Sequence, residues 1–357
     1  RLPSAGRRLL SFTDSRQGTA RMAAKLQIES ERNFVRSFVY HQVQASMLPP
    51  PGADAEIEGL KAEVQQFEEL LAANPLPAIE SVLAKKRQKL ASLGSGSSDG
   101  IAWPELVNRL AGRIEVSDWI KGVWQARDEE LFADESRIAE FLLLREFARR
   151  PKRANSVETL GIARLRYPSI DRLADVQLPG AFRRRGKTID DWRTYLDAVL
   201  TWFVRANGAI AISWQMQHWV ASKAKLTSLV GPGGQTNGDK RLRLWPNGYS
   251  ISKPASRPVT LLRQGLGLNL DEAIDRSDID ECLQEAWLQV QPALSADPER
   301  RVLDFGKTYV APVIDAFYCP VTRRLLDRAP FGLTPYGLDE TADARRRATP
   351  VVMPRHP

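Results

Sequence analysis

Residues 9–12 form a short apolar run that passes into a polar cluster and then into a helical pattern. An apolar run that ends in such a cluster is typical of a buried strand followed by a helix. Asp14 or Ser15 can cap the first helical turn, where backbone N–H groups and the helix dipole attract an anion. Arg16 adds a planar cation suited to phosphate. The alternative is an ordinary βα unit with a solvated Arg16.

Helical patterns dominate the chain from residue 16 to residue 90. The first helix is expected to continue to about residue 44, where a proline-rich stretch ends it. Residues 54–71 carry apolar side chains every three or four positions, which indicates an amphipathic helix. A proline-containing turn and a second helical pattern over residues 79–90 predict an antiparallel helical hairpin. A Gly/Ser-rich linker over residues 94–100 comes after it.

A second helical stretch is predicted over residues 103–150, with Trp119 and Trp124 interpreted as core residues. Its end is strongly cationic, and a proline at position 151 stops it. Cations also favour a helix C-terminus in any protein, so a solvated helix end is the alternative. This cluster is nevertheless the first candidate for phosphate contacts. Its members are Arg145, Arg149, Arg150, Lys152 and Arg153.

Residues 156–167 read as a short helix, a turn at Gly161 and a basic strand, an order similar to a winged-helix domain. Three consecutive arginines then lie on a predicted Gly/Pro-flanked loop and are the candidate tip of the wing, with solvated surface as an equal alternative. These residues are Arg183, Arg184 and Arg185. Thr188 and Asp191 next form a predicted capping box at the start of a strongly apolar helix.

The remaining patterns favour structure over catalysis. The glycine-rich segment 231–240 lacks the Gly-Lys-Ser/Thr sequence and the subsequent helix of a phosphate loop. Acidic residues between positions 271 and 281 are interpreted as solvated helix caps, not as a nuclease pair. Residues 302–305 and 310–319 are predicted strands of a small α+β unit.

Composition restricts the class of partner and the compartment. The 357 residues carry a formal net charge of +8, which favours an anionic partner such as nucleic acid. The chain has two distant cysteines and three histidines, too few for a disulfide framework, a zinc site or a histidine-based triad. No apolar run approaches the length of a membrane span and no signal peptide is visible. We therefore expect a cytoplasmic protein with no membrane partner.

Several blocks carry a resemblance to a known family. The run from position 9 to 26 resembles motif IV of the second RecA-like domain of superfamily 2 DEAD/DEAH-box helicases. The block at 144–151 followed by 155–163, and the blocks at 319–327 and 332–336, are similar to stretches of large bacterial phage-defence helicases, including the DISARM type. The resemblance implies that Thr13, Ser15 and Arg16 help to hold one nucleic-acid strand. It also implies DNA as a partner, with other defence-system proteins as possible partners.

The chain departs from this family in the elements that perform ATP chemistry. It has no Gly-x-x-x-x-Gly-Lys-Ser/Thr, no Asp-Glu-x-His or Asp-Glu-Ala-Asp, and no Gln-x-x-Gly-Arg-x-x-Arg. ATP and Mg²⁺ are therefore expected only in the intact protein, and no catalytic or metal-binding residue is assigned here. We expect an internal fragment that begins late in the ATPase core and does not hydrolyse ATP by itself.

The predicted fold is mostly α with α/β parts. Residues 1–46 are expected to start a RecA-like domain, 47–100 to form the helical hairpin and linker, 101–260 a helical and winged-helix-like basic region, and 261–357 a small α+β unit. The expected function is part of an ATP-dependent DNA helicase or translocase in anti-phage defence. A non-enzymatic nucleic-acid-binding or scaffold module, or a protein–protein adaptor that uses the hairpin, is the alternative.

Overall fold

The computed structural model describes residues 16–47, 53–73, 82–83, 85–86, 100–148, 156–221, 226–246, 256–297, 301–313, 316–319, 324–326, 334–335 and 347–351. This part of the chain is mostly helical with short strands, as the sequence predicts. The strand predicted at residues 9–12 lies outside the described residues.

Two long helices open the described chain, α1 (Arg16–Met47) and α2 (Ala53–Ala73). Both match the predicted helices within a few residues. Lys86 Nζ lies 2.6 Å from Glu63 Oε2 and 5.4 Å from the centre of the Phe67 ring. This contact joins residues on either side of the predicted turn, as expected for an antiparallel hairpin, and Leu83 is buried.

The next helices surround a cluster of aromatic side chains. They are α3 (Trp103–Ala111), a π-helical turn (Glu115–Ile120) that continues as α4 (Lys121–Gln125), and α5 (Glu135–Phe147). Asp134 caps α5 by accepting a hydrogen bond from the Arg137 backbone N–H at 2.7 Å. The Trp124 ring packs against Phe132 and Phe141 with ring centres 5.4 and 4.5 Å apart. Trp124 is therefore a core residue, as predicted.

The central helices are α6 (Pro168–Asp171), α7 (Gly180–Arg184), α8 (Ile189–Ala198) and α9 (Trp214–Ala221). A 3-10 turn (Asp175–Gln177) precedes α7, and a π-helical turn (Val199–Val204) with a 3-10 turn (Arg205–Asn207) extends α8. Thr188 and Asp191 form the predicted capping box of α8, with both reciprocal hydrogen bonds present. Local sequence therefore determines where α8 begins.

The last helices that the structure describes are α10 (Arg257–Leu266) and α11 (Ala273–Val290), with a 3-10 turn (Gln291–Ala293) after α11. A second 3-10 turn (Phe305–Lys307) stands where the sequence predicts the end of a strand. Its start is fixed by Asp304, whose carboxylate accepts a hydrogen bond from the Gly306 backbone N–H.

In the part of the chain that the structure describes, the strands form three small sheets. Strands β1 (Ile101–Ala102), β2 (Ala163–Arg166) and β5 (Tyr309–Pro312) make an antiparallel sheet in the order β1-β5-β2. Strands β3 (Ser228–Val230) and β4 (Leu242–Leu244) pair in parallel. The last sheet has the order β7-β6-β9-β8. Its strands are β6 (Ala316–Cys319), β7 (Arg324–Leu326), β8 (Thr334–Pro335) and β9 (Arg347–Val351).

The first sheet joins regions that the predicted division separates. Leu165 of β2 pairs with Val310 of β5, and Ile101 of β1 pairs with the same residue on its other side. One continuous apolar core extends from Val35 in α1 to Val310. The described residues of 261–313 therefore pack together with those of 101–260. In the described part of the chain β2 pairs with β5, and the winged-helix-like arrangement stays a prediction.

Candidate functional site

Most of the predicted DNA contacts fall outside the described residues. Thr13 and Ser15 lie there, and so do Arg149, Arg150, Lys152 and Arg153. The residues that the structure places are Arg16, at the start of α1, and the three arginines around the end of α7.

Helix α1 is described from Arg16 onward, runs for 32 residues and has no acidic residue over its first described turn. The residues before Arg16 lie outside the described part of the chain. The strand-to-helix turn and its suitability for an anion such as phosphate therefore stay predictions.

The arginines around α7 have partners within the chain. Arg184 lies 2.5 Å from an Asp278 oxygen and 2.9 Å from Glu281, and Arg185 bridges Asp275 and Asp278. Arg183 donates to the backbone carbonyls of residues 175 and 178. Arg183 and Arg184 also end a helix and do not lie on the predicted loop. This arrangement favours a structural role, in which the arginines attach α7 to α11.

The carboxylates of α11 differ from the predicted solvated caps. Asp275 and Asp278 are buried, and Asp275 also accepts a hydrogen bond from the Asn269 backbone N–H at 2.6 Å. Their spacing of three residues places them on one face of α11 toward α7. Since Arg184 and Arg185 already neutralise them, this face does not provide free ligands for Mg²⁺.

A buried ion-pair network attaches α1 to α5. The Glu146 carboxylate accepts from Arg32 Nε at 2.8 Å, from Arg36 Nε at 3.1 Å and from the Val157 backbone N–H at 3.1 Å. Arg145 Nη1 lies 3.0 Å from Glu31 Oε2. The charged side chains of this network are almost completely shielded from solvent. Helix α1 is therefore held to α5 by charges that have little access to water.

Arg145 belongs to the cationic cluster predicted at the end of α5. Its guanidinium lies 5.3 Å from the centre of the Trp124 ring and 5.2 Å from that of Phe141. Burial lowers the pKa of the Arg145 guanidinium, and the Glu31 carboxylate partly offsets this shift. The side chain is thus turned into the core and is not available to phosphate.

A groove lies between α1 and the π-helical turn that precedes α4. Its volume is about 390 Å³, within the range of small-molecule and peptide-anchor sites. We call it the Trp119 groove. It is lined by Gln27, Ser30, Glu31, Phe34, Glu115, Trp119, Ile120 and Val123.

The Trp119 side chain is 75% exposed, which corrects its interpretation as a core residue. Val116 and Ile120 of the same turn are buried. A π-helical turn has more residues per turn than an α-helix, so Trp119 rotates away from the face that those residues share. The exposed indole was missed because the sequence pattern was read with the α-helical period.

Glu115, on the edge of the Trp119 groove, is held in its ionised form. Its backbone N–H and the Arg113 guanidinium lower the pKa of the carboxyl, and Arg113 donates to both carboxylate oxygens at 3.0 and 3.2 Å. Asp118 is exposed beside Trp119, and in the described part of the chain its carboxylate accepts from the Ser117 hydroxyl and pairs with no cation.

Two kinds of cofactor site were considered in the residues that the structure describes, a phosphate-binding loop and a cluster of metal ligands. The segment 231–241 connects two strands that pair in parallel, and no helix follows it as in a phosphate-binding loop. No group of three or more His, Cys, Asp or Glu within the described ranges is arranged to hold a metal ion.

None of the described helices is long and apolar enough to cross a bilayer.

Comparisons with protein-family models, curated proteins and solved structures gave no match to this chain. The site is therefore interpreted from its own residues and from the resemblance of its sequence blocks.

Proposed function

We propose that this chain is the nucleic-acid-tracking part of an ATP-dependent DNA helicase or translocase that acts in bacterial anti-phage defence. The sequence block at 9–26, which resembles motif IV, supports the proposal, and the described part of that block is helical from Arg16 onward. The resemblance implies that the N-terminus of this helix faces a phosphate. ATP hydrolysis belongs to other parts of such a protein.

The buried network adds a mechanical reason for the architecture. A force on a DNA strand held at the first turn of α1 reaches α5 through Glu146, which pairs with Arg32 and Arg36. Helix α5 ends shortly before the cationic residues Arg149, Arg150, Lys152 and Arg153 in the sequence. In the proposal, the first turn of α1 and this cationic cluster contact the same DNA strand, and the ion-pair network keeps the distance between the two contacts fixed.

Binding of the chain to labelled oligo-dT and to duplex DNA across a salt series tests this function. Each phosphate contact contributes about 0.7 to the slope of log affinity against log salt for a single strand. Arg16→Glu should reduce the slope by roughly that amount. Lys25→Glu is the matched control, because Lys25 is an exposed cation on the same helix.

The cationic cluster is tested by changing Arg149, Arg150, Lys152 and Arg153 to Glu together. A control with the same charge change replaces Lys25, Lys61, Arg172 and Lys240. The proposal requires a larger loss of affinity in the first variant than in the control. Equal losses would show that binding depends on net charge alone, and no binding at low salt would exclude the tracking function.

A protein-interaction scaffold is the second candidate function, and the exposed Trp119 beside a groove favours it.

A further inference from the structure

The Trp119 groove combines an aromatic wall with carboxylates, and none of the described residues that line it is a cation. Phe34, Ile120 and Val123 supply its apolar surface, and Glu31 and Glu115 are its charged lining residues. The cations that contact this lining are already engaged, because Arg145 pairs with Glu31 and Arg113 pairs with Glu115. The groove is therefore not suited to a phosphate backbone.

Exposed apolar side chains also occur on the elements that form the groove. Trp119 is 75% exposed, and Ile114 at the start of the same turn and Leu26 on α1 are more than half exposed. An apolar patch beside an aromatic side chain and within a polar rim is typical of protein-interaction sites. The face of an exposed indole also attracts the side chain of a lysine or arginine through a cation–π interaction.

The charge that precedes Trp119 in the sequence decides the kind of partner. Asp118 is exposed, and no cation of the described residues pairs with its carboxylate. A cation drawn to the exposed indole is also attracted by this neighbouring carboxylate, so both groups favour a positive charge. An acidic peptide or a nucleic acid would instead meet an uncompensated negative charge.

We propose that the Trp119 groove binds a segment of another protein in which an apolar side chain stands next to a lysine or arginine. The apolar side chain fills the groove against Phe34 and Ile120. The neighbouring cation lies over Trp119 and pairs with Asp118.

Selection from a phage-displayed library of random peptides on the immobilised chain tests the proposal. Enriched peptides should carry an aromatic or aliphatic residue beside Lys or Arg. A labelled consensus peptide is then titrated by fluorescence anisotropy, and Trp119→Ala should weaken its binding about tenfold or more, as for a hot-spot tryptophan. Asp118→Lys should weaken the same peptide and improve binding of its Lys-to-Glu counterpart.

Two matched controls exist in the chain. Trp214 is also 75% exposed, so Trp214→Ala removes an equally accessible indole elsewhere and should leave the affinity unchanged. Asp271→Lys reverses an exposed carboxylate outside the groove. Trp119→Ala and Asp118→Lys both alter exposed side chains, so we expect the variants to fold, and circular dichroism is the check.

Several results would overturn the proposal. They are the absence of enrichment, a consensus rich in acidic residues, and binding that Trp119→Ala does not weaken. Oligo-dT provides the last arm: if it binds the chain and Trp119→Ala abolishes that binding, the groove is a base-stacking site for nucleic acid and not a peptide site.

Discussion

Glu146 Oε1 accepts a hydrogen bond from Arg32 Nε at 2.8 Å, although 114 residues separate the two in sequence. The Glu146 side chain is 1% exposed, and its other oxygen accepts from Arg36. A carboxylate in such a site is stable only because two guanidinium groups and a backbone N–H satisfy it. This relationship connects the helix that begins at the motif IV-like turn to the helix that ends at the cationic cluster.

The first prediction concerns this carboxylate. Glu146→Gln leaves two arginines buried with a neutral partner, so the free energy of unfolding should fall by about 3 kcal/mol. Urea denaturation monitored by circular dichroism measures it. Glu105→Gln is the control, since the Glu105–Arg109 pair on α3 is exposed and such pairs contribute about 0.5 kcal/mol or less. A loss below about 1 kcal/mol in Glu146→Gln would contradict the buried network.

The second prediction separates stability from DNA binding at α7. Arg185→Ala removes a partner of the buried Asp275 and Asp278, so we expect a loss of about 2–3 kcal/mol of stability. Arg183→Ala should cost much less, because Arg183 is exposed and donates to backbone carbonyls. Under conditions where both variants are folded, their affinity for oligo-dT should equal that of the unchanged chain. If Arg185→Ala instead lowers the affinity for oligo-dT without lowering stability, Arg185 contacts phosphate as the sequence predicts.

The third prediction concerns the start of α8. Thr188 accepts a hydrogen bond from the Asp191 backbone N–H at 3.2 Å, and Asp191 accepts one from the Thr188 backbone N–H at 2.9 Å. Thr188→Ala should therefore lower the free energy of unfolding by about 1 kcal/mol. Thr188→Ser retains the cap and should differ by about a few tenths of a kcal/mol. Equal stability of the Ala and Ser variants in thermal and urea denaturation would show that the cap does not matter.

The fourth prediction rests on the buried Tyr167. Burial raises the pKa of its hydroxyl from 10.0 to about 12, and the hydroxyl hydrogen-bonds with Thr201 at 3.0 Å. Above pH 10 the unfolded chain loses this proton while the folded chain retains it. Stability therefore falls between pH 10 and pH 12, by about 1.4 kcal/mol per pH unit from this residue.

Tyr167→Phe provides the comparison for this pH dependence. The variant lacks the Thr201 hydrogen bond and should be about 1 kcal/mol less stable at pH 8. It also lacks the titrating group, so its stability should fall less steeply above pH 10, and the difference between the two proteins should shrink. Urea denaturation at pH 8, 10 and 11 measures both. Parallel curves over this range would contradict a raised pKa for Tyr167.

Local patterns in the sequence determined where the first helices and the cap of α8 lie. The apolar spacing of α2 and the Thr188–Asp191 pair act within three or four residues, so they are readable without knowledge of the rest of the chain. The helical course of α1 was predicted in the same way, from the residues that follow the polar cluster. These elements can be predicted because the interactions that specify them join residues close together in the sequence.

Only the tertiary structure decided which charges are buried and which aromatic side chain is exposed. The partners of Glu146, Asp275 and Asp278 come from distant segments, and sequence alone treats their arginines as solvated or DNA-binding. Strand β5 likewise finds both of its neighbours far back along the chain. Trp119 is exposed because a π-helical turn changes the helical period, and such a turn has no signature in the apolar pattern. Long-range pairing and this change of period thus shape the proposed sites, and neither is encoded in neighbouring residues.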